Sequence, residues 1–244
     1  MLRIESLQNN FKVYFLGSSV RTICLFIIGI MVAKLLGPAE RGLIGVVMSI
    51  AMLSSIAGSI GLPQLASINS QEFLRFHSRL VKSAFIALIL SCGISVFFLW
   101  GYGSQYGTEV IALTIIYFVN TLLREVLRGE GRFTTITGSF HIESLGLISF
   151  VVWAYFYGFT GLLYLWVIIF LNVALMVFMV MALIPLVVVT NKSLRKEITN
   201  ATQFTFSITN ILIPLVRYSP LPLMALLKVD PASIGVAAVA ISII

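Results

Sequence analysis

Polar side chains set inside apolar runs are few in this sequence, and their chemistry is the first thing to weigh. Arg21 opens RTICLFIIGIMVAKLLGPAERG, and Arg217 stands in NILIPLVRYSPLPLM. A guanidinium buried in such a run costs roughly 3 kcal/mol on membrane-insertion scales, so something must offset it. One reading places both arginines on a hydrated cavity, where a planar donor fork suits pyrophosphate or acidic-sugar oxygens. The other lets the side chain snorkel to the near interface or bond a carbonyl on a neighbouring helix. Gln64, Asn120 and Asn172 interrupt apolar runs as well. They are candidate substrate-binding residues, with hydrogen bonding between helices as the competing role.

Other reactive types point away from catalysis. His141 and Glu143 lie two apart, so they do not share a helix face, and that spacing argues against a metal or acid/base pair. Cys24 and Cys92 both fall in apolar runs and read as small buried hydrophobes rather than ligands or a disulfide. Asp230 is the single aspartate, there are two histidines, and no acid cluster shares a loop, so an enzyme is not expected. Nor is a metal or a cofactor.

The elements that must position these residues follow from composition. Of 244 residues 59% are apolar and 10% charged, against roughly 25% charged in an ordinary soluble domain. The chain reads as an all-α polytopic membrane protein. Apolar segments run from Val13 to Leu36, Leu43 to Ala66, Val81 to Trp100, Val110 to Leu123, Thr134 to Phe156, Leu162 to Val189 and Phe204 to Leu227, with an eighth starting near Ile234. At about 20 residues per crossing this gives seven or eight transmembrane helices and leaves no room for a soluble domain. The first apolar run continues past Ala33 without a small-residue cleavage site, so it reads as a retained helix.

Charge sets the expected orientation. The net charge of +7 is spread thinly over short loops, which argues against a nucleic-acid partner and for topology. With the N-terminus cytoplasmic, eleven Lys and Arg fall in inside loops, among them Arg75, Arg124, Arg128 and Arg132. Three fall outside: Lys34, Arg41 and Lys228. In LGPAERG the glycine ends one helix while Pro38 and Glu40 favour a fresh start, which predicts a tight first hairpin. The stretch QEFLRFHSRLVK, with Phe73, Phe76 and Leu80 on one face, reads either as a short interfacial helix or as an ordinary basic loop.

An internal repeat organises the whole. PAERGLIGVVMSI from Pro38 and PASIGVAAVAISI from Pro231 align without a gap with six identities in thirteen, and Arg217 upstream takes the part of Arg21. Six helices per unit is even, so the halves are expected to be parallel repeats about an axis along the membrane normal. Residues 1–200 then form a first six-helix lobe, and residues 201–244 begin a second. On this reading the chain stops early in its second lobe, as a partial product or a half that needs a partner.

Taken together, the helix-one arginine with AKLLGPAERG, the glycine-rich SSIAGSIGLPQLAS, LRGEGRF after the fourth helix and the restart with Arg217 resemble the Wzx-type polysaccharide flippases. These belong to the superfamily that also holds the lipid II flippases and the multidrug and toxin extrusion (MATE) exporters. The resemblance covers the first lobe and the start of the second. It implies a MATE-like fold of two six-helix lobes around a cavity that opens alternately to either side. It implies transport of oligosaccharide repeat units on undecaprenyl pyrophosphate across the bacterial inner membrane, for O-antigen, capsule or exopolysaccharide synthesis. The implied partners are that lipid-linked oligosaccharide, the bilayer, the polysaccharide polymerase machinery, and a second copy or the C-terminal half. The alternatives are an inactive remnant of such a flippase, or a multidrug or lipid II exporter of the same superfamily. For a cation exporter a buried carboxylate would be expected where helix one has arginine.

Overall fold

The structure, a computed structural model, describes residues 2–75, 78–102, 106–189, 220–230, 232–234 and 237. Among these residues the regular structure is entirely helical: α1 (Leu2–Leu36), α2 (Pro38–Ser59), α3 (Leu62–Ile68), α4 (Ser70–Leu74), α5 (Ser78–Tyr102), α6 (Gly107–Gly129), α7 (Phe133–Tyr157), α8 (Gly161–Val189) and α9 (Pro220–Leu226). Six stretches are long and apolar enough to cross a bilayer: Lys12–Leu36, Pro38–Ser59, Leu80–Trp100, Gly107–Gly129, Phe133–Tyr157 and Gly161–Val187. The protein is an all-α polytopic membrane protein. The seventh expected helix falls largely on residues outside the described set, which include Arg217; α9 covers its last part.

The first hairpin is as tight as its residues require. Gly37 takes φ +80°, a conformation that a side chain disfavours, and Pro38 occupies the first turn of α2. Glu40, in that turn, accepts a hydrogen bond from the Gly161 amide at the start of α8, so one carboxylate serves two helix N-termini.

The run expected as one helix from Leu43 to Ala66 is two. Ile60 and Gly61 both adopt left-handed conformations, with φ 45° and 71°, and α3 restarts at Leu62 with Pro63 in its first turn. Hydropathy averages across such a break because both sides are apolar. The stretch QEFLRFHSRLVK does not form one interfacial helix either. It is shared between α4 and the start of α5, with Leu80 buried and Arg75 and Lys82 exposed, while Phe76 lies outside the described residues.

Packing puts α2 at the centre, against α5 and α6, while α1 lies mainly along α7, and α8 closes on α6 and α7. Small residues allow the close approaches: a Cβ on Gly58 would collide with the backbone of Ser91 on α5. Polar bonds tie the helices where lipid offers none. Ser95 and Thr114 hydroxyls meet at 2.8 Å between α5 and α6. Asn120 on α6 donates to the carbonyl and the side-chain oxygen of Asn172 on α8, both at 3.1 Å. The outer faces of α5 and α7 leave Phe85, Ile86, Phe97, Trp100, Trp153 and Phe156 exposed, as lipid-facing side chains should be.

Candidate functional site

Arg21 finds its partner on α7. Its Nε donates to Glu143 Oε2 at 2.8 Å and its Nη2 to Oε1 at 3.1 Å, a two-point pairing that matches the guanidinium fork to the carboxylate. Arg124 on α6 approaches the same carboxylate, with Nη2 3.5 Å from Oε2. Phe140 lies one turn before Glu143 on the same face of α7, and its ring centroid is 5.0 Å from the Arg21 guanidinium carbon and 5.2 Å from that of Arg124. One acid and one ring thus hold two arginines within the bundle.

His141 and Glu143 face different ways, His141 exposed and Glu143 buried. The face that excludes His141 is the inward face, and Phe140, Glu143 and Leu147 share it at helical spacing.

This cluster forms one end of a cavity of about 410 Å³ walled by α1, α2, α6, α7 and α8, with Leu221 of α9 also on its wall. Arg21, Glu143, Tyr117 and Asn172 line it towards that end, and Leu25, Ile28, Met48 and Ile168 make an apolar middle. At the other end, near the Gly37 hairpin, stand Arg41 and Tyr164. At 1.5 Å per residue, Arg21 and Arg41 sit roughly 15–20 Å apart along the bundle axis.

The expected site residues are distributed unevenly about this cavity. Arg21 and Asn172 line it. Asn120 sits beside it, 2% exposed, with its amide nitrogen donating to Asn172 and its Oδ1 buried without a donor. Gln64, half-buried on α3, is not on the wall. Arg217 lies outside the described residues.

Several arginines assigned to loops belong to helices, and two of these, Arg124 and Arg41, stand at the site. Arg124 is inside α6, which runs on to Gly129, well past the apolar run that ended at Leu123. Arg41 is in the first turn of α2 and on the cavity wall. The signal for Arg41 was available: a helix that starts at Pro38 already contains residue 41. The signal for Glu143 was that an acid deep in an apolar run must meet a cation, and Arg21 lies at a matching depth. Tyr117 and Tyr164 carried no such signal, since aromatic residues abound throughout.

Comparison with protein-family models, curated proteins and solved structures finds no match. The site therefore stands on its own chemistry. Among the described residues no group of three or more His, Cys, Asp and Glu is placed to hold a metal ion. What the wall offers is two guanidinium groups against one carboxylate, with a third guanidinium just behind it. Such a lining favours an anion over a cation.

Proposed function

We propose that this chain is a transporter of the flippase type, moving oligosaccharide units on undecaprenyl pyrophosphate across the bacterial inner membrane for O-antigen, capsule or exopolysaccharide synthesis. The observation that carries the reading is the net positive charge of an intramembrane cavity lined by Arg21 and Arg41 against Glu143. A pyrophosphate bears several negative charges that must leave water to cross, and fixed guanidinium donors offset that loss. The resemblance of the LGPAERG hairpin, its upstream arginine and LRGEGRF to the polysaccharide flippases supports the same substrate class.

Export of cations fits less well. Such a cavity would need a free carboxylate, and Glu143 already faces two arginines. On the proposed reading the protein is not an enzyme, the chain starts on the cytoplasmic side, and the Gly37 hairpin faces the periplasm, in line with basic residues gathered at the opposite end.

The test is mass spectrometry of undecaprenyl-linked oligosaccharide in cells that lack the gene, with and without the 244-residue chain restored. Accumulation that the chain reverses is the expected result. No accumulation on deletion would remove the flippase reading.

A further inference from the structure

Arg21 is engaged in this conformation, whereas Arg41, on the same cavity wall, has no protein acceptor among the described residues. We infer that the Gly37 end of the cavity holds a second anion-binding site, centred on Arg41, that takes a phosphate or pyrophosphate group. The inference rests on the reading of the cavity as a path for anions and adds a second station to it.

Three independent features of Arg41 converge on an anion. It lines the cavity, and its side chain forms no hydrogen bond or ion pair among the described residues, with Nε buried and unsatisfied. A half-buried guanidinium whose Nε is shut from water without an acceptor is costly, so a cation kept there calls for a counter-charge. The neighbouring acid does not supply one, because the Glu40 carboxylate is turned to the Gly161 amide at the start of α8. The position is also adverse for a cation: Arg41 lies in the first turn of α2, where the helix dipole is positive. An anion bound there relieves both charges.

The setting suits a phosphate. Tyr164, 6% exposed and on the same wall, provides a phenol at the same depth, since it lies three residues into α8 while Arg41 lies three residues into α2. Arg21 and Arg41 then act differently. Arg21 must first part from Glu143 to take a substrate anion, whereas Arg41 receives one without breaking a protein contact. An anion leaving the Arg21 end thus meets an open site roughly 15–20 Å further along the path.

The phosphate could belong to the carried lipid-linked sugar or to an ordinary anionic headgroup. The direct experiment measures binding of radiolabelled inorganic pyrophosphate to the full chain in nanodiscs of phosphatidylcholine. Wild-type protein is expected to bind saturably, with affinity at least about tenfold lower in Arg41→Gln and partly retained in Arg41→Lys. The same measurement in phosphatidylglycerol nanodiscs separates the two sources. Displacement by that lipid identifies a headgroup site, and undiminished binding identifies a site reserved for the carried phosphate; both support an anion site at Arg41.

Equal binding by wild type and Arg41→Gln, or no binding in either membrane, overturns the inference. Should Arg41→Gln not fold, modification of wild-type Arg41 by phenylglyoxal, read by peptide mass spectrometry, gives the answer without a variant. Pyrophosphate is expected to slow it, and an unchanged rate counts against the site. Failure of the transport reading looks different: oligosaccharide export would be intact in cells lacking the gene while pyrophosphate binding still depended on Arg41.

Discussion

Glu143 is shared by two guanidinium groups, so its removal does more than break a bond. Without it Arg21 and Arg124 would stand together beside the Phe140 ring with no acid to share. We predict that Glu143→Ala destabilises the chain by about 3–5 kcal/mol, the usual cost of orphaning a buried charge. Arg21→Ala should cost less, because Arg124 remains beside the carboxylate. Denaturant unfolding in detergent measures both, and equal losses would refute the asymmetry. For transport, Arg21→Ala should insert normally yet fail to reverse oligosaccharide accumulation. Arg21→Lys should restore it partly, since an ammonium keeps the charge but cannot offer the planar donor fork that suits pyrophosphate oxygens. Normal export by Arg21→Ala at normal protein level would end its role in the path.

At the scale of elements, the bundle relies on close helix contact and on polar clamps rather than on hydrophobic exclusion, because lipid is as apolar as the core. Asn120→Ala removes the clamp between α6 and α8 and leaves the Asn172 side-chain oxygen without its donor. The expected loss is about 0.6–1.7 kcal/mol. Gly58→Ala drives a methyl group into the Ser91 backbone and should cost about 1–3 kcal/mol by overpacking between α2 and α5. The thermal midpoint of the purified chain tests both, and an unchanged midpoint for Gly58→Ala would mean that the two helices are free to part. The helices themselves were readable from long apolar runs, and the hairpin from Gly37-Pro38. The break at Ile60–Gly61 was not, because an Ile-Gly pair between apolar runs leaves hydropathy unchanged.

Across the described molecule, exposed basic residues and tryptophans favour opposite ends of the bundle. Exposed Lys12, Arg75, Lys82 and Arg132 gather at one end, while Trp100, Trp153 and Trp166 lie towards the end that carries the Gly37 hairpin. Basic residues prefer the cytoplasmic side and tryptophan the interface. On the proposed orientation, a cysteine placed at exposed Thr160 should react with an impermeant maleimide added outside the cell membrane, and one at Arg132 only after the membrane is opened, both in a chain with Cys24 and Cys92 replaced by serine. The reverse pattern would invert the topology. In the same background Ser49→Cys, on the cavity wall, should label in purified protein, whereas Ser54→Cys, fully buried between helices, should not. Equal labelling at the two positions would mean that water does not distinguish cavity from core.

The sequence alone determined that this chain lives in a membrane as a bundle of helices, because backbone hydrogen bonds must close within each segment and long apolar runs leave no other solution. It also determined that Arg21 needed a counterpart, since the cost of a buried charge is a property of the residue and its surroundings. Which counterpart was decided only by tertiary structure. The pairing of Arg21 with Glu143, 122 positions away, depends on α1 lying along α7. The same holds for Arg41, whose place on a cavity wall arises when α8 brings Tyr164 and Gly161 beside the first turn of α2. Local sequence fixes periodicity and helix ends, while the partners of a buried charge are set by which helices pack together.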